Sequence, residues 1–390
     1  MKSFASLQNK MIEYARVHAI PISGGFELTN RCNLGCRMCF VCQNTRETID
    51  RELTAAQWIE LGRQVRDAGL LRVLLTGGEA LFRDDFWEIY EGLTRLGLLV
   101  TVNTNGVLLT EENVRRFVKM PPVKISVSVY GASPEAYQRI TGSAAAFDKV
   151  RQGIERVKQT TIPLNLRSVL IRDTVPDIEN IAEFILSYVD HIGIVAYVAP
   201  CREEFGKDPL SARLNAEELT IANDRLREIT RTIADRKKKE GEDGGQLNEE
   251  VEEPIVMEED DDELIPKELN PEMEKLFKDS AFRCLAARTA FWVNWEGHMT
   301  PCALAAEPYT FPVQDGFSAA WKKLVEATHA IAPCQDCVEC EYKKMCSTCP
   351  VRLYIETGSY QKKADYLCQL AYQNHKVRQA REENNRKGDK

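Results

Sequence analysis

The 390-residue sequence contains no apolar run of transmembrane length, which excludes a helical membrane span. Its first twenty residues, MKSFASLQNKMIEYARVHAI, lack the basic, apolar and small-residue succession of a secretory signal, so a cytoplasmic protein is expected. Histidine is scarce, with five scattered copies, of which only His298 falls near the cysteines discussed below. Residues 240–263 hold thirteen Asp or Glu and no Lys or Arg. Setting those thirteen aside leaves 51 basic against 46 acidic residues, so the overall charge of −8 hides a slightly basic remainder. The acidic run reads as a solvated linker.

What is present in excess is cysteine. Four of thirteen lie within residues 32–42, eight between 284 and 368, and only Cys201 stands alone. In a reducing compartment such grouping points to metal or iron–sulfur ligation rather than to disulfides.

Between residues 24 and 200 short apolar runs alternate with helical patterns. The runs are GGFELT, LRVLLTGG, LLVTVNTNG, VKISVSVYG, LNLRSVLI and HIGIVAYVAP. Thr54 and Gln57 form a capping-box pattern ahead of Trp58, Leu61 and Val65, and Gly69 ends that helix. Phe86, Ile89, Leu93 and Leu96 share a second helical face that Gly97 ends. Ser133–Pro134 and Thr174 with Pro176 open two more helices as cap plus first-turn proline. Alternation of this kind implies parallel strands joined by crossover helices. Six units fall short of a closed eight-unit barrel, so the expected fold is α/β, a partial (β/α)6 TIM-like barrel with its active site at the strand C-terminal ends. A small cysteine-rich α+β domain is expected to follow. The boundaries read as an extension over 1–23, the barrel over 24–215, and a helix (about 216–239) with the acidic linker over 216–270. Order returns near Pro266 or Pro271, the cysteine-rich domain spans 271–370, and a polar tail occupies 371–390.

In LTNRCNLGCRMCF, Cys32, Cys36 and Cys39 are spaced C-x3-C-x2-C just after the first strand. A four-iron cluster normally takes four thiolates, so three close cysteines suggest one iron left open. Cys42 is the rival fourth ligand, and a structural zinc with three or four of these thiolates is the plainer alternative.

These residues resemble the radical S-adenosylmethionine (SAM) superfamily, and the resemblance extends over nearly the whole chain. It implies that Cys32, Cys36 and Cys39 hold a [4Fe-4S] cluster whose open iron takes the amino and carboxylate groups of S-adenosylmethionine. The residue before the third cysteine, usually aromatic, is Met38 here, with Phe40 after it. Gly77, Gly78 and Glu79 in LLTGGEALF match the motif that contacts the methionine amino group. Two glycines permit close backbone approach, and a carboxylate suits an ammonium. Asn103, Thr104 and Asn105 in TVNTNG, and Ser126 and Ser128 in ISVSVYG, stand where similar enzymes bind ribose and carboxylate. Tyr130 replaces the Asp of the usual Ser-x-Asp-Gly and is similar to peptide-modifying branches. Arg139 is a candidate for the cofactor carboxylate, with a helix-surface arginine as the alternative.

Further on, Cys284, Gly297 and Cys302 form C-x12-G-x4-C across the hairpin-like AFWVNWEGHMTPC, with a turn at Glu296–Gly297. Cys334, Cys337, Cys340, Cys346, Cys349 and Cys368 follow. This resembles the SPASM auxiliary domain of peptide and protein maturases, apart from an extra Cys334 and a last close spacing of two rather than three. The resemblance implies one or two auxiliary [4Fe-4S] clusters. Cys337, Cys340, Cys346 and Cys368 would hold one. Cys284, Cys302 and Cys349 would supply three ligands to another, its fourth position being Cys334 or open. Zinc knuckles are the alternative. Cys201, after strand six, is either a hydrogen-atom donor or a packing residue.

The expected activity is reductive cleavage of S-adenosylmethionine and radical modification of a ribosomally made peptide, such as a thioether, another crosslink or an oxidation. The expected partners are a peptide or small-protein substrate and a one-electron reductant of flavodoxin or ferredoxin type. About two dozen residues precede the first strand, too few for a leader-gripping module, so recognition is expected from a separate leader-peptide-binding protein or from the C-terminal domain. Neither nucleic acid nor membrane is expected. Sulfatase-maturase-like oxidation is disfavoured by Ala303, which stands where such enzymes place Asp. Two more readings are modification of a tetrapyrrole-like small molecule and a non-catalytic iron–sulfur electron carrier.

Overall fold

The computed structural model describes residues 4–41, 46–202, 208–239, 277–346 and 349–388. Cys42, the acidic run 240–263 and the expected return of order near Pro266 or Pro271 lie outside the described residues. A helix α1 (Phe4–Val17) precedes the first strand. The six apolar runs become β1 (Ser23–Glu27), β2 (Arg72–Thr76), β3 (Leu99–Thr104), β4 (Lys124–Ser128), β5 (Leu164–Val169) and β6 (Gly193–Val195). The crossovers carry α2 (Ala55–Asp67), α3 (Phe86–Arg95), α4 (Glu111–Lys119), α5 (Pro134–Thr141), α6 (Ala145–Lys158) and α7 (Ile178–Leu186).

The local signals act as expected at most helix starts. Thr54 and Gln57 make the reciprocal capping box, and Trp58, Leu61 and Val65 are buried below it. Ser133 accepts from the Ala136 N–H, with Pro134 in the first turn. The exception is Thr174. Its hydroxyl bonds back to the Val169 and Ile171 carbonyls, Pro176 sits in a 3-10 turn, and α7 begins only at Ile178. The local hydrogen bonds of Thr174 outcompete capping.

Six parallel strands form the expected open sheet, but the sheet does not stop there. The hairpin strand β7 (Ala290–Val293) pairs in parallel with β1, and β8 (Met299–Thr300) pairs antiparallel with β7. The order is β6-β5-β4-β3-β2-β1-β7-β8. Gly24 and Gly25 allow this join: a Cβ on Gly24 would meet the Phe291 ring at 2.6 Å, and one on Gly25 the Trp292 ring at 2.0 Å. Phe291, Val293, Met299, Phe317 and Trp321 accordingly share one hydrophobic core with Phe26, Trp58 and Leu75. The hairpin turn is at Gly297, whose φ is +86°.

The helix α8 (Ala216–Lys239) packs on α7 through Leu219, Ala222 and Leu226. Residues 371–388, expected as a polar tail, instead continue one helix, Asp365–Gly388. Its Leu370 packs with the α7–α8 core. Among the described residues no helix is long and apolar enough to cross a membrane.

Candidate active site

The loop carrying Cys32, Cys36 and Cys39 leaves the C-terminal end of β1 and is held from three sides. From α5, the Thr141 and Ile140 carbonyls accept from the N–H groups of Gly35 (2.9 Å) and Arg37 (3.0 Å). From the end of β3, Asn105 Nδ2 donates to Asn33 Oδ1 at 2.7 Å and reaches Cys32 Sγ at 3.5 Å. From the end of β2, the Thr29 and Arg31 carbonyls accept from Gly78 (2.7 Å) and Glu79 (2.9 Å).

The glycine pair therefore has a partner that sequence reasoning did not supply. A Cβ on Gly77 would lie 2.4 Å from the Thr29 carbonyl oxygen, and one on Gly78 would lie 2.4 Å from that of Arg31. The close approach is to the cysteine loop itself. Gly78→Ala is expected to push that loop outward, at a cost of about 1–3 kcal/mol. A lowered melting temperature together with reduced iron per chain after anaerobic reconstitution would show it.

Glu79 is fully buried. Its carboxylate accepts from Thr104 Oγ1 (2.9 Å), Asn105 N (2.7 Å) and Leu81 N (3.2 Å), tying the β2 and β3 strand ends together. Two carboxylate oxygens offer about four acceptor sites, so one is left for an ammonium. Burial raises its pKa from 4.5 to about 7, against the three donors, which lower it. A carboxyl raised on folding stabilises fully below about 4.5, and that stabilisation is lost as pH rises through about 7. The stability advantage of wild type over Glu79→Gln should therefore shrink between pH 5 and pH 8, by up to about 3 kcal/mol. Denaturant midpoints across that range measure it, and a pH-independent gap would refute the raised value.

The remaining polar strand-end residues form a ladder by register, Asn103 beside Ser126, Ser126 beside Asn165, and Ser128 beside Arg167. Asn165 Nδ2 is 3.5 Å from Ser126 Oγ. Tyr130 packs on the same hydrophobic cluster as Met38 of the loop. Burial holds its phenol well above the usual pKa, and the charges of Cys36, Cys39 and Cys32 add to the effect. Arg139 departs from its candidate role: its guanidinium is half exposed and pairs with Asp177 at 3.2 Å on the outer layer. That is the placement of a helix-surface arginine. Cys201 is half-buried beside the mouth, since the next residue's N–H donates to the Phe40 carbonyl.

The C-terminal thiols fall into two groups. The Cys302 thiol is pushed up to about 12, by burial first and then by Cys349 and Cys284. Cys284 is likewise raised by burial and then by Cys349. These three pack with Phe282, Ala305 and Val351. In the other group Cys337 is pushed up to about 12, by burial first and then by Cys334, Cys346 and Cys368. Cys368 is raised by burial, Cys346 and Cys340. Cys334 packs with Leu353, Ala364 and Leu367 beside Cys337, and so stands with the second group. His298 takes no part, stacking on Tyr309 at 4.8 Å.

Among the described residues no three His, Cys, Asp or Glu side chains converge on a point that would take one metal ion. A mononuclear zinc site gathers its sulfurs about 2.3 Å from a single centre, whereas a cubane spreads them over its corners. Thiols are the donor type that an iron–sulfur cubane takes at its corners. Raised thiol pKa values mean that ligation must release protons, so loading would strengthen with pH.

Two polar networks behind the loop have no signature in the sequence. Glu52, nearly buried, accepts from Thr29 Oγ1, from Arg31 Nε and Nη2 (both 3.0 Å) and from Arg83 Nη1 (3.3 Å). Arg83 also donates to the Leu28 (2.6 Å) and Leu53 (2.9 Å) carbonyls and to Asp85. On the opposite side Glu27 accepts from Arg202 and, at 3.0 Å, from Trp292 Nε1.

Comparison with known proteins places this geometry. Residues 26–185 match the family model described as the Radical SAM superfamily. An AdoMet-dependent heme synthase of Methanosarcina barkeri is 31% identical over 172 residues, 44% of this chain and 48% of that protein. The PqqA peptide cyclase of Rhizobium meliloti is 31% identical over 160 residues, 40% of this chain and 42% of that protein. The chain thus spans less than half the length of these curated relatives. Among solved structures, Streptococcus suis SuiB bound to precursor peptide SuiA superposes with TM-score 0.64 at 18% identity, covering 95% of this chain and 82% of that one. Native anSMEcpe with bound AdoMet gives TM-score 0.67 at 15% identity, covering 95% and 100%. Likeness at that identity concerns the fold, and it runs through the C-terminal thiol region as well as the barrel. Residues 26–185, which include the three-thiol loop at the end of β1, are thus the part of this chain that matches the radical SAM superfamily.

Proposed function

We propose that the chain reductively cleaves S-adenosylmethionine and uses the 5′-deoxyadenosyl radical to modify a ribosomally made peptide. The observation that carries this reading is the joining of the three-cysteine loop to the strand ends, where the Asn105 side chain bonds Asn33 and reaches Cys32 while its N–H donates to Glu79. A [4Fe-4S] cluster held by these three thiolates would supply one electron to the sulfonium, whose carbon–sulfur bond then breaks. The chain's own residues do the positioning. Glu79 offers a carboxylate to the methionine ammonium, and Asn103, Ser126 and Ser128 offer polar groups to ribose and carboxylate. Cys284, Cys302 and Cys349, and separately Cys337, Cys340, Cys346 and Cys368, would hold two auxiliary clusters.

Peptide as substrate is supported by the peptide cyclase relative and by the fold shared with SuiB, whose structure includes its precursor peptide. A flavodoxin- or ferredoxin-type reductant, a separate leader-binding protein and a cytoplasmic location complete the proposal. A second reading, modification of a tetrapyrrole-like molecule, is favoured by the heme synthase relatives. Anaerobic incubation of reconstituted protein with dithionite and S-adenosylmethionine should release 5′-deoxyadenosine. None at all would favour an electron carrier. A mass change on a short peptide encoded beside the gene, and none on a porphyrin, would decide between the two substrates.

A further inference from the structure

Arg202 follows the isolated Cys201 and belongs to no motif, yet it touches both thiol regions of the molecule. Its backbone N–H donates to the Phe40 carbonyl at 3.2 Å, and its guanidinium lies 5.2 Å from the centre of the Phe40 ring. Phe40 is the neighbour of Cys39. Nη2 donates to the carbonyl of Ala303, the neighbour of Cys302. Nη1 donates to both oxygens of Glu27, at 3.0 and 2.8 Å. Glu27 is in turn fixed by Trp292 on β7. The side chains of Arg202 and Glu27 are 18% and 2% exposed.

A charge pair this buried, with Nη2 used on the Ala303 carbonyl and Nε buried without a hydrogen-bond partner, tolerates little displacement, because close-packed surroundings cannot absorb it. The planar fork of arginine allows one side chain to hold three directions at once, which a lysine cannot do. We infer that Arg202 is a positioning residue that locks the Cys39 end of the barrel loop to the Cys302 segment of the C-terminal thiols, so that neither set moves without the other. The inference rests on the proposed function only for its use. It makes the spacing between the S-adenosylmethionine site and the first auxiliary thiol group a property of one guanidinium.

The test uses the full chain and does not need iron. In anaerobic, metal-free protein, iodoacetamide labelling of each cysteine is followed by peptide mass spectrometry. Arg202→Lys should speed labelling of Cys39 and Cys302 together, by about tenfold through freer local opening, while Cys340, Cys346 and Cys368 keep their wild-type rates. Phe40→Leu removes only the ring contact and should raise the same two rates by less. It decides the matter if Arg202→Lys does not fold. A uniform rise at every thiol would reduce Arg202 to a general staple, and a rise at one site alone, or at neither, would also overturn the inference. In iron-loaded protein, S-adenosylmethionine should alter the EPR signal of the group held by Cys284, Cys302 and Cys349 in wild type but not in Arg202→Lys. An equal response in both would count against it. A wild-type chain that takes up no iron would defeat the proposed function, while the labelling rates would still settle the role of Arg202.

Discussion

Cys36→Ala is expected to abolish release of 5′-deoxyadenosine and to remove about four iron atoms per chain while leaving the auxiliary iron in place. Cys36 is the buried member of the three-thiol loop, and its loop neighbours are pinned to the carbonyls of α5. An alanine there fits sterically and cannot ligate. Enzymes accelerate their reactions by about 10⁶-fold or more, and loss of the cofactor forfeits all of it rather than a factor of ten. The contrasting variant is Cys368→Ala, on an exposed site in the second C-terminal group. It should lose iron of the auxiliary kind and still form 5′-deoxyadenosine. Iron and sulfide analysis with chromatography of the nucleoside separates the two. Full nucleoside yield from Cys36→Ala would sink the proposed chemistry.

Arg83→Met should be the most destabilising single change behind the site, lowering stability by about 3–5 kcal/mol. Arg83 is nearly buried, and it links Glu52, Asp85 and two backbone carbonyls. Removing it strips the β1 end and the segment after Glu52 of their common donor and leaves Glu52 buried with Arg31 as its remaining cation. The loss exceeds that of the exposed pairs, such as Arg63 with Glu60, which solvent screens. A guanidinium chloride titration reads the difference as a fall in midpoint at unchanged slope. Because Thr29 and Arg31 share Glu52, iron retention should fall along with stability. A stable variant that still loads iron fully would show that the cysteine loop does not depend on this network.

Some parts of the site are legible in sequence because their causes are local. A thiol spacing, a capping box and an apolar run every crossover each act within a few residues. The groupings of Cys284, Cys302 and Cys349, and of Cys337, Cys340, Cys346 and Cys368, follow likewise from motif resemblance. Arg139 shows the opposite case: its spacing after β4 is compatible with either face of α5, and Asp177 and the Asp173 carbonyl, elsewhere in the chain, turn it outward. Thr174 misleads because a threonine shortly before a proline signals a cap, while its strongest partners are the preceding carbonyls. Cys334 cannot be apportioned from spacing, since the choice depends on packing against Leu353 and Leu367.

The sequence alone determined the alternation of strands and helices, the three-thiol loop and the glycine–glycine–glutamate turn, since each is written in the chemistry of neighbouring residues. The tertiary structure decided that β7 extends the barrel sheet through the bare surface of Gly24 and Gly25. It also decided that Glu79 ties two strand ends, and that Arg83 and Arg202 brace the cysteine loop from opposite sides. Those outcomes depend on groups far apart in the chain, 175 residues in the case of Glu27 and Arg202. Only burial makes such distant groups matter to each other, because water no longer satisfies them.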